Sequence, residues 1–176
     1  MSVSNCCICK DIYKQTKDLI VAPPILKIPA GKTQLVRIGW RRPGSINKEL
    51  TYRLFIQDLT PYKALQNTIQ FKIQASMPVF IQPSTPLYQA AWQIKRLGTH
   101  QIKLILNNTG NMHIQVSTIT LTNANNQIVA TVNAAAYVLP QESINTTLQT
   151  KIPISNSVTV TADTDNGKLT ANVVVS

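Results

Sequence analysis

The cleanest alternation of apolar and polar residues along the chain lies between Thr68 and Ile81. Ile69, Phe71, Ile73, Ala75 and Met77 alternate with Thr68, Gln70, Lys72, Gln74 and Ser76, the period of two that sends successive side chains to opposite faces of a half-buried strand. The pattern predicts a strand of about ten residues, against a usual length of about five or six. Residues 50–56 predict a second strand, with Tyr52, Leu54 and Ile56 on one face, and residues 34–40 a third. Residues 18–28 are β-prone but broken by Pro23 and Pro24, which suits an edge or bulged strand because proline cannot donate to a ladder. A turn signal follows at Pro29-Ala30-Gly31.

The stretch Gln82-Pro83-Ser84-Thr85-Pro86 has two prolines and no apolar residue, as expected of an interdomain linker. Beyond it, residues 101–106 and 112–116 read as a hairpin around residues 107–111, with Gly110 supplying a positive φ. Strands are predicted at residues 117–122, 127–132, 136–139 and 148–154. A closing hairpin joins residues 158–162 to 169–173 through a turn holding Asn166-Gly167. Short strands separated by turns at this spacing predict an all-β sandwich, and no long amphipathic helix is expected.

Composition agrees: 44% of the 176 residues are hydrophobic and 14% charged, enough apolar material for a packed core. The net charge of +10 is concentrated in the first half, where residues 1–83 hold 12 basic against 4 acidic residues. No basic run interleaved with stacking aromatics accompanies it, so no nucleic-acid partner is expected. Cys6, Cys7 and Cys9 are too close together to form a disulfide framework. His100 and His113 are far from them in sequence, so no metal site is expected. The seven acidic residues form no acid/base constellation, the six glycines no phosphate-binding loop, and His113 reads as a satisfied strand residue. No enzymatic activity and no cofactor are expected. Apolar runs stay short of the roughly 18 residues of a membrane span, so direct membrane insertion is not expected. The first residues lack the pattern of a signal peptide, and the chain taken literally is expected to stay cytoplasmic.

Five segments carry a resemblance: Val21-Ala-Pro-Pro-Ile25, Ile28-Pro-Ala-Gly-Lys-Thr-Gln-Leu-Val-Arg-Ile38, Glu49-Leu-Thr-Tyr-Arg-Leu-Phe-Ile56, Leu59-Thr-Pro61 and Met77-Pro-Val-Phe-Ile-Gln-Pro83. In order and spacing they resemble the N-terminal domain of periplasmic pilus-assembly chaperones of the chaperone/usher, PapD-like family. The Pro-Val-Phe ending and Leu106-Asn-Asn-Thr-Gly-Asn-Met-His-Ile114 resemble the archaic branch that serves spore-coat-U-type pili. The likeness covers about residues 18 to 140.

The resemblance implies two immunoglobulin-like β-sandwich domains, the first incomplete: an unassigned leader at 1–17, a truncated chaperone N-terminal domain at 18–83 and a C-terminal sandwich at 84–176. It implies a periplasmic chaperone that binds pilin subunits and an outer-membrane usher. Its last long strand of domain one would be lent to an incomplete pilin, with Ile69, Phe71, Ile73 and Ala75 at the donor positions. The family's anchor for the subunit's terminal carboxylate pairs a lysine of that strand with an arginine of the first strand. The lysine position here is Pro78; Arg37, Arg53 and Lys72 are the nearby basic residues, and Arg37 is the candidate replacement because a guanidinium can hold a carboxylate bidentately. The alternative reading is a surface adhesin or structural β-sandwich without a pilin client. A small hydrolase ranks behind both.

Overall fold

A computed structural model describes residues 2–5, 13–42, 44–61, 69 and 71–176. The described residues contain strands, turns and bends but no helix, as the apolar periodicity predicts. The strands are β1 Ser2–Asn5, β2 Lys14–Gln15, β3 Leu19–Ala22, β4 Arg37–Trp40, β5 Leu50–Gln57, β6 Gln74–Ile81, β7 Ala90–Gly98, β8 Gln101–Asn108, β9 Ile114–Thr122, β10 Ile128–Val138, β11 Ser143–Gln149, β12 Ser157–Thr164 and β13 Gly167–Val174. The chain forms two compact units. The first comprises Met1–Ser45 and Leu50–Ile81, the second Ile46–Glu49 and Gln82–Ser176. The break at Ile81/Gln82 lies close to the expected linker, while Ile46–Glu49 joins the second unit, a return that no local pattern announces.

The first unit contains a sheet in the order β2-β1-β5-β6 and a two-stranded sheet β3-β4. Two of its strands, β1 and β2, fall within residues 1–17, where a leader without assigned structure is expected. β5 pairs antiparallel with β1 on one side and with β6 on the other. Its inward residues Tyr52 and Leu54 join Leu19 in a small core, with Val21, Trp40, Val79 and Ile81 packed against them. The period-two reading of residues 50–56 thus identifies the face that is buried.

The second unit stacks the sheet β10-β9-β12-β13 on the sheet β11-β8-β7. Leu104, Leu106, Ile114, Val116, Leu121, Val138 and Val160 interdigitate in its core and are almost wholly removed from water. Burying each such side chain stabilises the fold by about 1.5–3 kcal/mol. Four expectations are corrected. Residues 101–106 and 112–116 do not form a hairpin: β8 pairs with β7 and β11, whereas β9 pairs with β10 and β12, so the chain crosses between sheets at Asn108–His113. Alternation fixes which face of a strand is inward but not which sheet the strand enters. Gly110 also does not adopt a positive φ. It is needed because the backbone of Leu87–Gln89 passes against it, Asn111 N donating to Leu87 O and Thr109 N to Gln89 O. The predicted segments 127–132 and 136–139 form the single bulged strand β10. The 148–154 strand is displaced toward the N-terminus as β11. The closing hairpin forms as expected, with Gly167 at φ +106° in its turn.

Polar groups tie Ile46–Glu49 into the second unit. Asn111 Nδ2 donates to Asn47 O, Glu49 N donates to Asn111 O, and the Glu49 carboxylate is fully buried against His113, whose Nδ1 lies 2.8 Å from Oε2. His113 Nε2 faces Asp165 Oδ2 at 3.6 Å. The histidine is therefore a satisfied structural residue, as its sequence context suggests.

Two substitutions test this packing. In Gly110→Ala the new Cβ collides with the Leu87 carbonyl and lies 2.9 Å from Gln89 N, so urea unfolding should show a loss of about 1–3 kcal/mol. His113→Ala strands the buried Glu49 carboxylate and should cost about 3–5 kcal/mol, the usual effect of removing one member of a buried pair.

Candidate functional site: the edge of β6

The residues that alternate most regularly in the sequence are not in the core. Ile69, Phe71 and Ile73 are 85%, 81% and 72% exposed, so the reading that they pack the chain's own interior is excluded. They also precede β6, which begins only at Gln74; of the four predicted donor positions, Ala75 alone lies within the strand. The long strand expected from alternation is shortened because a strand needs a partner, and β5 has already ended at Gln57, opposite Gln74. One backbone bond, Asp58 N to Ile73 O at 3.0 Å, carries the pairing slightly further.

β6 ends its sheet, with β5 on one side and, among the described residues, no strand on the other. Its first half is exposed, including Met77, and its second half turns Val79 and Ile81 toward the small core. The result is a free edge preceded by three bare apolar side chains. Such an edge offers unpaired backbone donors and acceptors together with apolar surface, the combination used when an extended segment is shared between proteins.

The turn next to this segment is fixed by Asp58. Its Oδ1 accepts from Thr60 N at 2.8 Å and from Thr60 Oγ1 at 2.6 Å, and these bonds, with a smaller contribution from Lys72, hold the Asp58 carboxyl below its usual range.

Arg37 and Arg53 occupy different settings. Arg37 is an exposed residue of β4 paired with Ala22, in the sheet that does not contain β6. The structure does not bring it to the β6 edge through any strand pairing. Arg53 lies on β5 directly across from Pro78, the position where the resemblance expects a lysine. Its Nη1 donates to Ser76 Oγ on β6 at 3.4 Å, and its guanidinium stands 5.9 Å from the centre of the Tyr13 ring. Its Nε is buried without a hydrogen-bond partner among the described residues. Sequence reasoning names Arg53 only as a nearby cation because its position depends on cross-strand register.

Behind the edge, Tyr52 Oη donates to Asp18 Oδ2 at 3.2 Å, and Arg42 Nε pairs with Asp18 Oδ1 at 2.9 Å. Burial raises the Tyr52 phenol above its ordinary value, and the Asp18 carboxylate adds to the effect. Among the described residues no group of His, Cys, Asp and Glu side chains could hold a metal ion. Cys6, Cys7 and Cys9 lie outside the described residues.

Residues 3–86 match the family model for the pili and flagellar-assembly chaperone PapD N-terminal domain. The first unit belongs to this pilus-chaperone family. Chaperones of this family are not enzymes, in line with the sequence reading. Comparison with curated proteins finds no significant match. Among solved structures, the class 5 fimbriae chaperone CfaA superposes with a TM-score of 0.66 at 15% identity, covering 98% of this chain and 84% of that one. The CsuC–CsuE chaperone–tip subunit pre-assembly complex of archaic chaperone-usher Csu pili from Acinetobacter baumannii matches at 0.59 and 19%, covering 99% and 83%. The SafB chaperone in complex with the SafA pilin, from Salmonella enterica, matches at 0.54 and 16%, covering 98% and 80%. At these identities the structural matches establish the shared fold, the two-domain immunoglobulin-like architecture expected from the sequence.

The Tyr52 arrangement has a measurable consequence. With its folded-state value raised, the unfolded chain ionises Tyr52 first, so its contribution to stability is complete below about pH 10 and is lost as pH rises from there through the folded-state value. Urea unfolding from about pH 8 to about pH 11 should show a steeper alkaline loss for the parent protein than for Tyr52→Phe.

Proposed function

We propose that this protein is a pilus-assembly chaperone that holds pilin subunits by donor-strand complementation, with the β6 edge and Ile69, Phe71, Ile73 and Ala75 as the donated segment. The observation that carries this reading is the exposure of three alternating apolar side chains next to a free strand edge, in a unit whose own core does not use them. A pilin lacking a strand presents an apolar groove and unpaired backbone groups. An added strand satisfies both at once, its alternate side chains entering the groove while its backbone continues the sheet. Family membership of the first unit and the likeness to chaperones solved in complex with SafA and CsuE support the reading. The CsuC match and the Pro78-Val79-Phe80 ending support placement in the archaic branch.

The donated segment becomes a regular strand only on binding, because a client strand then extends the pairing that ends at the Asp58 N–Ile73 O bond among the described residues. For the carboxylate anchor, Arg53 is the stronger candidate over Arg37: it lies beside β6, is half-buried, and has an unused Nε donor among the described residues. A guanidinium in that setting can take a terminal carboxylate through two parallel hydrogen bonds. An outer-membrane usher is the further partner and the periplasm the compartment, both carried by the family relationship.

Phe71→Asp separates donation from core packing. The position is exposed, so folding stability should change by no more than about 0.5 kcal/mol. Capture of a co-expressed archaic-type pilin should fall at least a hundredfold, because the carboxylate would be buried unpaired in the groove. A variant that unfolds, or that captures pilin normally, removes the assignment. Arg53→Ala should weaken capture about tenfold or more, the scale of a charge-assisted hydrogen bond, while Arg37→Ala leaves it unchanged. The reverse order would return the anchor to Arg37.

A further inference from the structure

The second unit carries its own unprotected strand edge. Four strands end its two sheets: β7, β10, β11 and β13. β7 contains Lys95 and Arg96, and β13 contains Lys168. These two charged edges close on each other at one end, through the Ile94–Val175 bridge and the bond from Ser176 N to Ile94 O. At the opposite side stand β10 and β11, tied at one end by the bond from Lys151 N to Val129 O, and neither Ile128–Val138 nor Ser143–Gln149 contains a charged residue or a proline. Sheet edges are normally blunted by charge, by proline or by cover. In a chain of net charge +10, the absence of charge over both of these strands is a pointed departure.

Between the two uncharged edges lies an apolar cavity of about 250 Å³. Leu104, Leu106, Ile119, Val132, Ala134 and Ile144 are among its lining residues. A cavity of roughly 150 Å³ suffices for a benzene ring, so this one has room for a large apolar side chain. Its space comes from β10, which shifts register between Asn133 and Ala136 and carries only alanines there. β11 is the complementary element: all seven of its residues pair in unbroken register with β8, leaving its other edge straight and regular.

We propose that β11 is a second β-augmentation site, which takes an uncharged extended peptide segment with apolar residues at alternate positions. The segment extends the β11-β8-β7 sheet, with its inward side chains in the cavity and its backbone on the free edge of β11. The chemistry of the occupant follows from the edges themselves. A charged residue entering between Ile144 and Val132 would lose its hydration with no counter-charge on either strand, whereas an uncharged one meets only apolar and neutral polar groups. Glu142 and Lys151 stand just outside the ends of β11, which limits the uncharged stretch to about the seven residues of a typical strand. This site is independent of the β6 edge and lies wholly within the second unit.

The test uses the full-length, isotopically labelled protein and an acetylated, amidated seven-residue peptide of alternating threonine and valine. Titration should shift backbone amide resonances of Ser143–Gln149 and of the β10 residues that line the cavity, and it should do so equally in the Phe71→Asp background. Ala134→Leu, which fills the cavity, and Thr146→Lys, which places a charge on the inward side of the edge, should each weaken this response at least tenfold with the thermal midpoint preserved. Shifts confined to β6 overturn the proposal, as does undiminished binding to both variants. Shifts at β11 that appear with rising protein concentration alone, before peptide is added, overturn it in favour of a second copy of the chain.

Discussion

The first unit depends on the two-sided pairing of β5. β1 and β6 both hydrogen-bond to it, and its inward Tyr52 and Leu54 are two of the three buried core residues among the described residues of that unit. Among the described residues, the three buried core residues of the first unit are few beside the eighteen of the second. At about 25 cal/mol per Å² of apolar surface removed from water, the first unit gains far less from burial. A weakly filled sandwich whose last strand has a free side is suited to continuing its sheet into another protein, because the inward-facing positions and the edge are already arranged to receive surface from outside.

How much of this is legible in the sequence differs with the kind of interaction. Alternation at residues 50–56 identifies the buried face of β5, and Asn166-Gly167 identifies the β12-β13 reversal, since both depend on residues adjacent in the chain. The same alternation at residues 69–75 marks a surface of the right chemistry but not its conformation. Ile69, Phe71 and Ile73 carry the pattern of a strand without being paired as one, because periodicity describes side chains and pairing depends on a second backbone. Residues 107–111 mislead for a related reason. Their asparagines and glycine resemble a hairpin turn, but the chain uses them to pass from one sheet to the other, and Gly110 is there for the proximity of Leu87. The Glu49–His113 pair, 64 residues apart in sequence, and the placement of Arg53 opposite Pro78 are long-range facts of register that a single sequence does not display.

Arg53 illustrates how register changes the chemistry available at an edge. Where the resemblance expects a lysine, this chain has Pro78 on β6, which contributes no cation and no backbone donor. Across the ladder on β5 stands Arg53, whose side chain is half-buried and whose planar head reaches Ser76. A lysine on the edge strand is a flexible point charge. An arginine rooted in the neighbouring strand is held by the sheet, loses less freedom on binding and offers a fixed fork to a carboxylate. If the anchor has moved in this way, the register between client and donor segment is set from β5 rather than from β6. On the proposed function, the segment before Gln74 stays irregular until a client supplies the missing pairing, so that order in the segment and occupancy of the site arise together.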